Sequence, residues 1–392
     1  MSMQQGRRPG TRSDLSHTLF RLGRPLSPIY SLAMRIRQRA YDRGLLPSFR
    51  VERPVISIGN LSLGGTGKTP HVIHVCRLLK EEGFRAAVIT RGYGGRAGKG
   101  PLVVSDGSKV LAGPERAGDE AFMLASLLPG VPVVAGSRRV TSARLAIRRL
   151  DADLLVLDDG FQHLSLKRDL DVVLFPATAP FGTGRVFPGG DLREPVSAIS
   201  RADAGVITGL DPSGCDVSHY EEGHYEDGAE LARAKIHRSF PELPLFFSRT
   251  RPAGLKWWDF EAKRASSASL DALTERALPV WAFCAIAAPE RFFSLCRSCF
   301  SDVVGETPFR DHFVFRPRDL RLLFQRARES GARALVCTEK DWVKIEPLLG
   351  RLPGGLPEGM KIGALLISVE VDRAFDDLVI RAAKGEFKGT SR

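Results

Sequence analysis

Residues 59–70 read Gly-Asn-Leu-Ser-Leu-Gly-Gly-Thr-Gly-Lys-Thr-Pro and follow directly on the apolar run Pro-Val-Ile-Ser-Ile. A buried strand that empties into a glycine-rich loop and then a helix forms a phosphate cradle. Small residues let backbone N–H groups converge on phosphate oxygens, and the helix aims its positive end at the anion. The stretch Ser62, Leu63, Gly64, Gly65, Thr66, Gly67, Lys68 and Thr69 is therefore expected to bind nucleotide phosphates, Lys68 as a point charge and Thr69 through a hydroxyl available to Mg²⁺. The usual loop carries glycine six residues before the lysine, where this chain has Ser62. Leu63 stands where one class of partition-type ATPases places a second lysine, which argues against that class.

At 392 residues the chain is long enough for two domains of ordinary size. Its 43% hydrophobic and 26% charged residues are those of a globular protein. No stretch approaches the roughly 20 apolar residues that span a bilayer. The N-terminus lacks the compact apolar core and cleavage site of a secretion signal. Six cysteines are scattered over the chain, and the Cys296-x-x-Cys299 pair lies in a helical pattern with no second pair, so reduced thiols in a cytoplasmic protein are expected rather than a metal site.

The net charge of +12 calls for an acidic partner. Its distribution points away from nucleic acid. Residues 7–50 carry ten arginines against Asp14 and Asp42, interleaved with apolar residues that include Phe20, Leu22, Ile29, Leu32 and Ile36. That pattern suits an anionic membrane surface. A helix packed on the protein body with a solvated basic face is the other reading, and the two are compatible.

The expected fold is α/β: a P-loop NTPase-like parallel sheet sandwich, a second, smaller α/β lobe, and an N-terminal amphipathic helical segment, with the active cleft between the lobes. Residues 1–13 read as disordered, 14–50 as the amphipathic segment and 51–205 as the P-loop domain. Residues 206–245 read as a linker or insertion, polar and acidic over 211–235, and 246–392 as the smaller lobe, with its C-terminal helix free to return to the first domain.

Asp158 and Asp159 end the apolar strand Leu154-Leu155-Val156-Leu157, where ligand sites of open α/β sheets gather. A P-loop protein needs a carboxylate there to hold Mg²⁺ opposite the loop threonine, and the sequence does not separate the two. His163 extends the same loop, either orienting an aspartate or the nucleotide or serving as a packed residue. Taken alone, Asp119 is a first-turn acid of a helix and His312 a histidine packed beside aromatics.

The set Asn60 to Pro70, Arg91-Gly92-Tyr93-Gly94-Gly95, Gly118-Asp119-Glu120, Asp158-Asp159-Gly160-Phe161-Gln162-His163, Leu192-Arg193-Glu194-Pro195, Asp311-His312 and Thr338-Glu339-Lys340-Asp341 occurs in this order. Over roughly residues 15–380 it resembles the tetraacyldisaccharide 4′-kinase family of lipid A biosynthesis. The resemblance implies transfer of the ATP γ-phosphoryl group, with Mg²⁺, to the 4′-hydroxyl of a tetraacylated glucosamine disaccharide 1-phosphate, forming lipid IVA. It implies a peripheral enzyme on the cytoplasmic face of a Gram-negative inner membrane, with no nucleic-acid partner. It also implies that Asp119, supported by His312, activates the sugar hydroxyl. Arg91, Tyr93, Arg139, Arg193 and Glu194 would contact the substrate, and Glu120, Gln162 and His163 would support the site. Two departures stand out: Ala285-Ile286-Ala287-Ala288 replaces a glycine- and asparagine-containing turn before Pro289-Glu290, and 211–235 has no counterpart. The competing reading is a soluble P-loop NTPase of the metallochaperone or switch type, which would lack an acceptor-activating base. The sequence does not indicate an oligomeric state.

Overall fold

The computed structural model describes residues 20–387 apart from 96, 97, 99, 210–222, 260, 261, 263, 269–277, 312 and 351–358. The stretch read as disordered, 1–13, lies outside these residues. β1 (Val55–Gly59) is buried throughout and lies between two parallel neighbours, β5 (Leu154–Asp158) and β6 (Leu170–Pro176). Beyond β5 run β2 (Ala86–Thr90) and β4 (Pro132–Ala135), and beyond β6 runs β7 (Ala204–Thr208), all parallel. β3 (Leu102–Asp106) pairs antiparallel with β4.

Side chains alternate between two covered faces. Ile56, Ile58, Val88 and Val156 pack against helices Lys68–Glu81, Asp119–Leu127 and the last helix, Arg373–Ala383. Val55, Ala87, Ile89, Leu155 and Leu157 pack against Arg139–Arg149 on the other side. Burial on both faces is why these strands read as unbroken apolar runs.

The sequence pattern assigns no strand to β8 (Leu245–Asp259), β9 (Arg264–Ala268) or β13 (Lys361–Val371). β8 starts parallel to β7 through Leu245, Phe246 and Phe247, then runs antiparallel to β13 from Ser248 to Trp257. β13 in turn pairs parallel with β12 (Ala334–Thr338), which adjoins β10 (Val280–Cys284) and β11 (Val303–Pro308). A single sheet therefore runs β11-β10-β12-β13-β8-β7-β6-β1-β5-β2-β4-β3, and the β8–β13 ribbon carries it from one lobe to the other. β8 is half-exposed along most of its length, so it offers no apolar run to read.

Within the stretch read as a linker, Gly223–His237 is helical. Its polar sequence conceals a narrow inner stripe: Ala229, Ala232 and Ile236 are buried against Val173, Phe175 and Ile207. Near the N-terminus, a 3₁₀ turn at Arg24–Leu26 leads into helix Ser27–Asp42, and Ser27 Oγ donates to Val186 O at 2.7 Å.

His71 ties the P-loop helix to the ribbon. Its Nδ1 lies 2.8 Å from Gly67 O and its Nε2 2.8 Å from Ser248 Oγ. A carbonyl can only accept, so Nδ1 carries the proton and Nε2 accepts from the serine. Burial lowers the His71 pKa to about 4, against the opposing backbone bond to Gly67. The unfolded chain, with an ordinary histidine near 6.5, takes up this proton first. The resulting stability, on the order of 3 kcal/mol, is complete above pH ~6.5 and is lost as pH falls towards 4. His163, also held near 4, acts in the same direction. The melting temperature should fall between pH 7.5 and 4.5, and His71→Gln should flatten that fall. Identical slopes in the two proteins would show that another group takes up the proton.

Candidate active site

Gly67, with φ of 81°, turns the P-loop into the helix that starts at Lys68. Backbone and hydroxyl contacts brace the loop from three sides: Leu63 N to Asp191 O at 2.6 Å, Arg193 N to Leu61 O at 2.7 Å, and Thr208 Oγ1 to Thr66 O at 3.2 Å. Buried Asn60 supplies two more bonds. Its Oδ1 accepts from Lys68 Nζ at 3.0 Å, and its Nδ2 donates to Ser62 O at 2.9 Å. The serine at the unusual position thus joins the bracing, and Lys68 is oriented before any phosphate arrives.

Asp158 is buried at the end of β5, where Thr90 Oγ1 donates to its Oδ2 at 2.9 Å. Burial, with Glu120 and Asp159 nearby, pushes its carboxyl up to about 6 against the pull of Thr90 and Lys68. Asp159 sits at φ 55°, in the left-handed region, and bonds Arg193 Nη1 at 2.6 Å, with Lys68 Nζ 3.5 Å from its other oxygen. Burial would raise this carboxyl as well, but Lys68 and Arg193 together hold it below the usual carboxylate range. Arg139 is buried beside the pair and donates to Gly136 O at 2.7 Å. Burial lowers its guanidinium to about 10, with Asp158 and Asp159 opposing.

These residues fit a divalent cation. Asp159 Oδ1 is buried without a hydrogen-bond partner among the described residues, and Glu120 and Asp159 add negative charge around the buried Asp158. Among the described residues no group of three or more His, Cys, Asp or Glu side chains could hold a metal by itself. An ion here would draw on Thr69, the aspartates and nucleotide phosphates.

Gln162 Nε2 donates to Asn60 O at 2.8 Å, and Gln162 Oε1 lies 3.4 Å from Arg193 Nη1. His163 Nε2 lies 3.0 Å from Ser165 Oγ, and burial followed by Arg139, Arg168 and Arg37 lowers its pKa to about 4. The ring is neutral and braces its own loop. Glu194 is buried, accepting from Arg201 Nη2 at 2.6 Å, with Arg37 Nη1 3.5 Å away, and so anchors the N-terminal helix. Arg91 and Tyr93 are exposed.

Asp119 opens its helix immediately after Gly118, whose φ is 85°. A Cβ on Gly118 would collide with Tyr93 O, and one on Gly95 would lie 2.5 Å from Arg116 O. The Arg91–Gly95 loop and the approach to Asp119 are therefore packed backbone on backbone, which only glycine permits. From the second lobe, Lys344 Nζ lies 2.8 Å from Asp119 Oδ2. The divergent turn at 285–288 also crosses to the first lobe: a Cβ on Gly65 would lie 4.0 Å from Ala287 Cβ. His312 lies outside the described residues.

Residues 19–382 match the model of the tetraacyldisaccharide-1-P 4′-kinase family. The chain belongs to this family. A protein named tetraacyldisaccharide 4′-kinase from Desulfotalea psychrophila is 40% identical over 335 residues, covering 86% of this chain and 90% of that relative. One of the same name from Syntrophus aciditrophicus is 36% identical over 384 residues, covering 96% of each. A crystal structure of LpxK from Aquifex aeolicus in complex with ATP superposes with a TM-score of 0.68 at 29% identity, covering 94% of this chain and 99% of that one.

Sequence reading passes over four contributors to this kinase-family site: the Asn60 side chain, Thr90, Arg201 and Lys344. Asn60 lies inside a quoted motif and Thr90 directly precedes one, so both are signalled only by position. The last two are single basic residues on elements distant in sequence, with no local signal. The glycine packing is open to test. Gly95→Ala must displace Arg116–Gly118 and with them Asp119, so kcat should fall about 10- to 100-fold while KM for ATP stays near normal. A loss confined to KM for ATP would refute that path.

Proposed function

We propose that this chain transfers the γ-phosphoryl group of ATP to the 4′-hydroxyl of a tetraacylated glucosamine disaccharide 1-phosphate. The observation that carries the reading is the convergence of a braced P-loop lysine, an aspartate pair at the end of β5 and a separate carboxylate, Asp119, paired with a lysine of the second lobe. A soluble NTPase switch has no need of that third carboxylate, and family membership favours the kinase.

Lys68 and the P-loop amides hold the β- and γ-phosphates, and Mg²⁺ held by Thr69 with Asp158 or Asp159 offsets their charge when bound. Asp119 accepts the hydroxyl proton as the sugar oxygen bonds to the γ-phosphorus and the bond to the β-bridging oxygen breaks, releasing ADP. His312 supports Asp119. Arg139 and Arg193 keep positive charge beside the transferring group, while Arg91 and Tyr93 are positioned by exposure to meet the substrate.

The N-terminal helix supports docking to an anionic membrane at the cytoplasmic face of the inner membrane. Leu22, Leu26, Ile29, Leu32 and Ile36 recur at helical spacing on its outer side, and Leu22 is 74% and Ile29 66% exposed. An apolar stripe turned away from the protein is the reverse of ordinary helix packing and matches an interfacial helix. Exposed Arg35 and Arg39 flank it, whereas Arg37 turns inward to Glu194. Among the described residues no helix is long and apolar enough to cross a membrane.

Transfer of labelled γ-phosphate to an acylated disaccharide monophosphate in detergent micelles tests the activity directly. Lys68→Ala and Thr69→Ala should each lower turnover by roughly two orders of magnitude or more. Near-normal transfer by either would remove the loop from the reaction. For the membrane reading, Arg35→Glu with Arg39→Glu should weaken sedimentation with anionic vesicles at least about tenfold, each basic residue contributing about 1 kcal/mol at such a surface. KM for ATP should not move. Unchanged, salt-insensitive vesicle binding would make the helix purely structural.

A further inference from the structure

The Thr-Glu-Lys-Asp motif at 338–341 has no part in the chemistry described so far, yet side chains from Thr338 to Lys344 reach separate parts of the cleft. They occupy the start of helix Glu339–Leu349, whose first turn is capped by Thr338 Oγ1 accepting from Asp341 N at 3.1 Å. Asp341 Oδ2 accepts from Ala285 N at 2.8 Å, holding the turn that faces the P-loop. Lys340 Nζ pairs with Asp311 Oδ1 at 3.1 Å, one residue before His312 in sequence. Glu339 Oε2 accepts from Ile367 N at 3.2 Å on the ribbon strand β13. Lys344, one turn further on, reaches Asp119 Oδ2 at 2.8 Å on the first lobe.

Burial gives that last contact its weight. The Lys344 side chain is 9% exposed and Asp119 31% exposed. An ion pair in open solvent would contribute little. A nearly buried ammonium needs its carboxylate, and an ion pair at 2.8 Å restricts where that carboxylate can lie.

We propose that Lys344 is a positioning residue for Asp119, aligning from the second lobe the carboxylate that receives the acceptor's proton. The proposal rests on the reading of Asp119 as the acceptor-activating group. Neighbouring side chains of the same helix place the P-loop-facing turn and the 311 loop, so one helix turn sets the nucleotide side and the acceptor side together.

The test is a double-mutant cycle on the full chain, reading kcat, KM for ATP, KM for lipid and melting temperature. Asp119→Asn comes first: near-normal kcat in this variant would overturn the reading of Asp119, independently of Lys344. Given a large loss there, Lys344→Met should lower kcat about 10- to 100-fold with KM for ATP within about twofold of wild type. Lys344→Arg should recover most of that loss. Added to Asp119→Asn, Lys344→Met should cost no more than about twofold, because the group it positions is already gone. A full additive loss in the double variant, or a kcat loss matched by a rise in KM for ATP, would overturn the proposal. Should Lys344→Met not fold, Lys344→Gln is read in the same cycle.

Discussion

Asp158 and Asp159 bring two carboxylates to the end of a buried strand, Asp158 itself buried and Asp159 part-exposed, where unpaired charge is costly. The neighbourhood is organised by that cost. Lys68 and Arg193 take the two oxygens of Asp159, Thr90 bonds Asp158, and Arg139 is buried alongside in spite of its own desolvation. Among the described residues Asp158 still lacks a cation of its own, and burial with Glu120 and Asp159 nearby raises its carboxyl to about 6. A protein that needed these acids only as strand terminators would have turned them to solvent. Asp159 instead occupies a left-handed backbone conformation that aims it at Lys68, a local strain that the surrounding contacts must hold in place.

The lobes meet over this centre because the sheet never breaks between them. The β8–β13 ribbon is antiparallel and half-exposed, whereas the strands on either side are parallel and buried. A two-stranded connection of this kind is the thinnest part of the sheet. Glu339 bonds β13, and His71 bonds Ser248 of β8, so both halves of the site are anchored to the ribbon. A change in ribbon geometry would be felt at the P-loop helix and at the helix that carries Lys344.

Legibility from sequence follows the range of the interactions. β1, its loop and the Asp158–Asp159 strand are legible because burial on both faces forces apolar runs and the phosphate cradle forces glycine. Helix Gly223–His237 reads as linker because its inner stripe is two alanines and an isoleucine, too small to register as periodicity. β8 is missed because a half-exposed strand carries basic residues such as Arg249, Arg251 and Lys256 between apolar ones. Glu194 is legible as important but not as buried, since its partners Arg37 and Arg201 lie 157 residues before it and seven after it. Lys344 had no signal at all. Only the packing of its helix against Asp119–Leu127 gives it a partner.

Positive charge at the N-terminus has two separate uses. Arg35 and Arg39 stay in solvent beside an outward apolar stripe, while Arg37 donates to Gln162 O at 3.0 Å and faces Glu194. From Gln162 the path continues to Asn60 O, and the Asn60 side chain holds Lys68. Three side chains, those of Arg37, Gln162 and Asn60, thus connect the proposed docking helix to the P-loop lysine. Arg201 reinforces the same corner, stacking 4.4 Å from the Phe161 ring centroid and bonding Gln38 as well as Glu194. A docking helix loosely tethered to its enzyme would raise local concentration and nothing more. One fixed by buried charge to the loop beside the P-loop also fixes the angle at which the cleft meets the surface. For the proposed acceptor, with acyl chains in the bilayer and a sugar that would have to reach Asp119, that angle matters as much as the affinity.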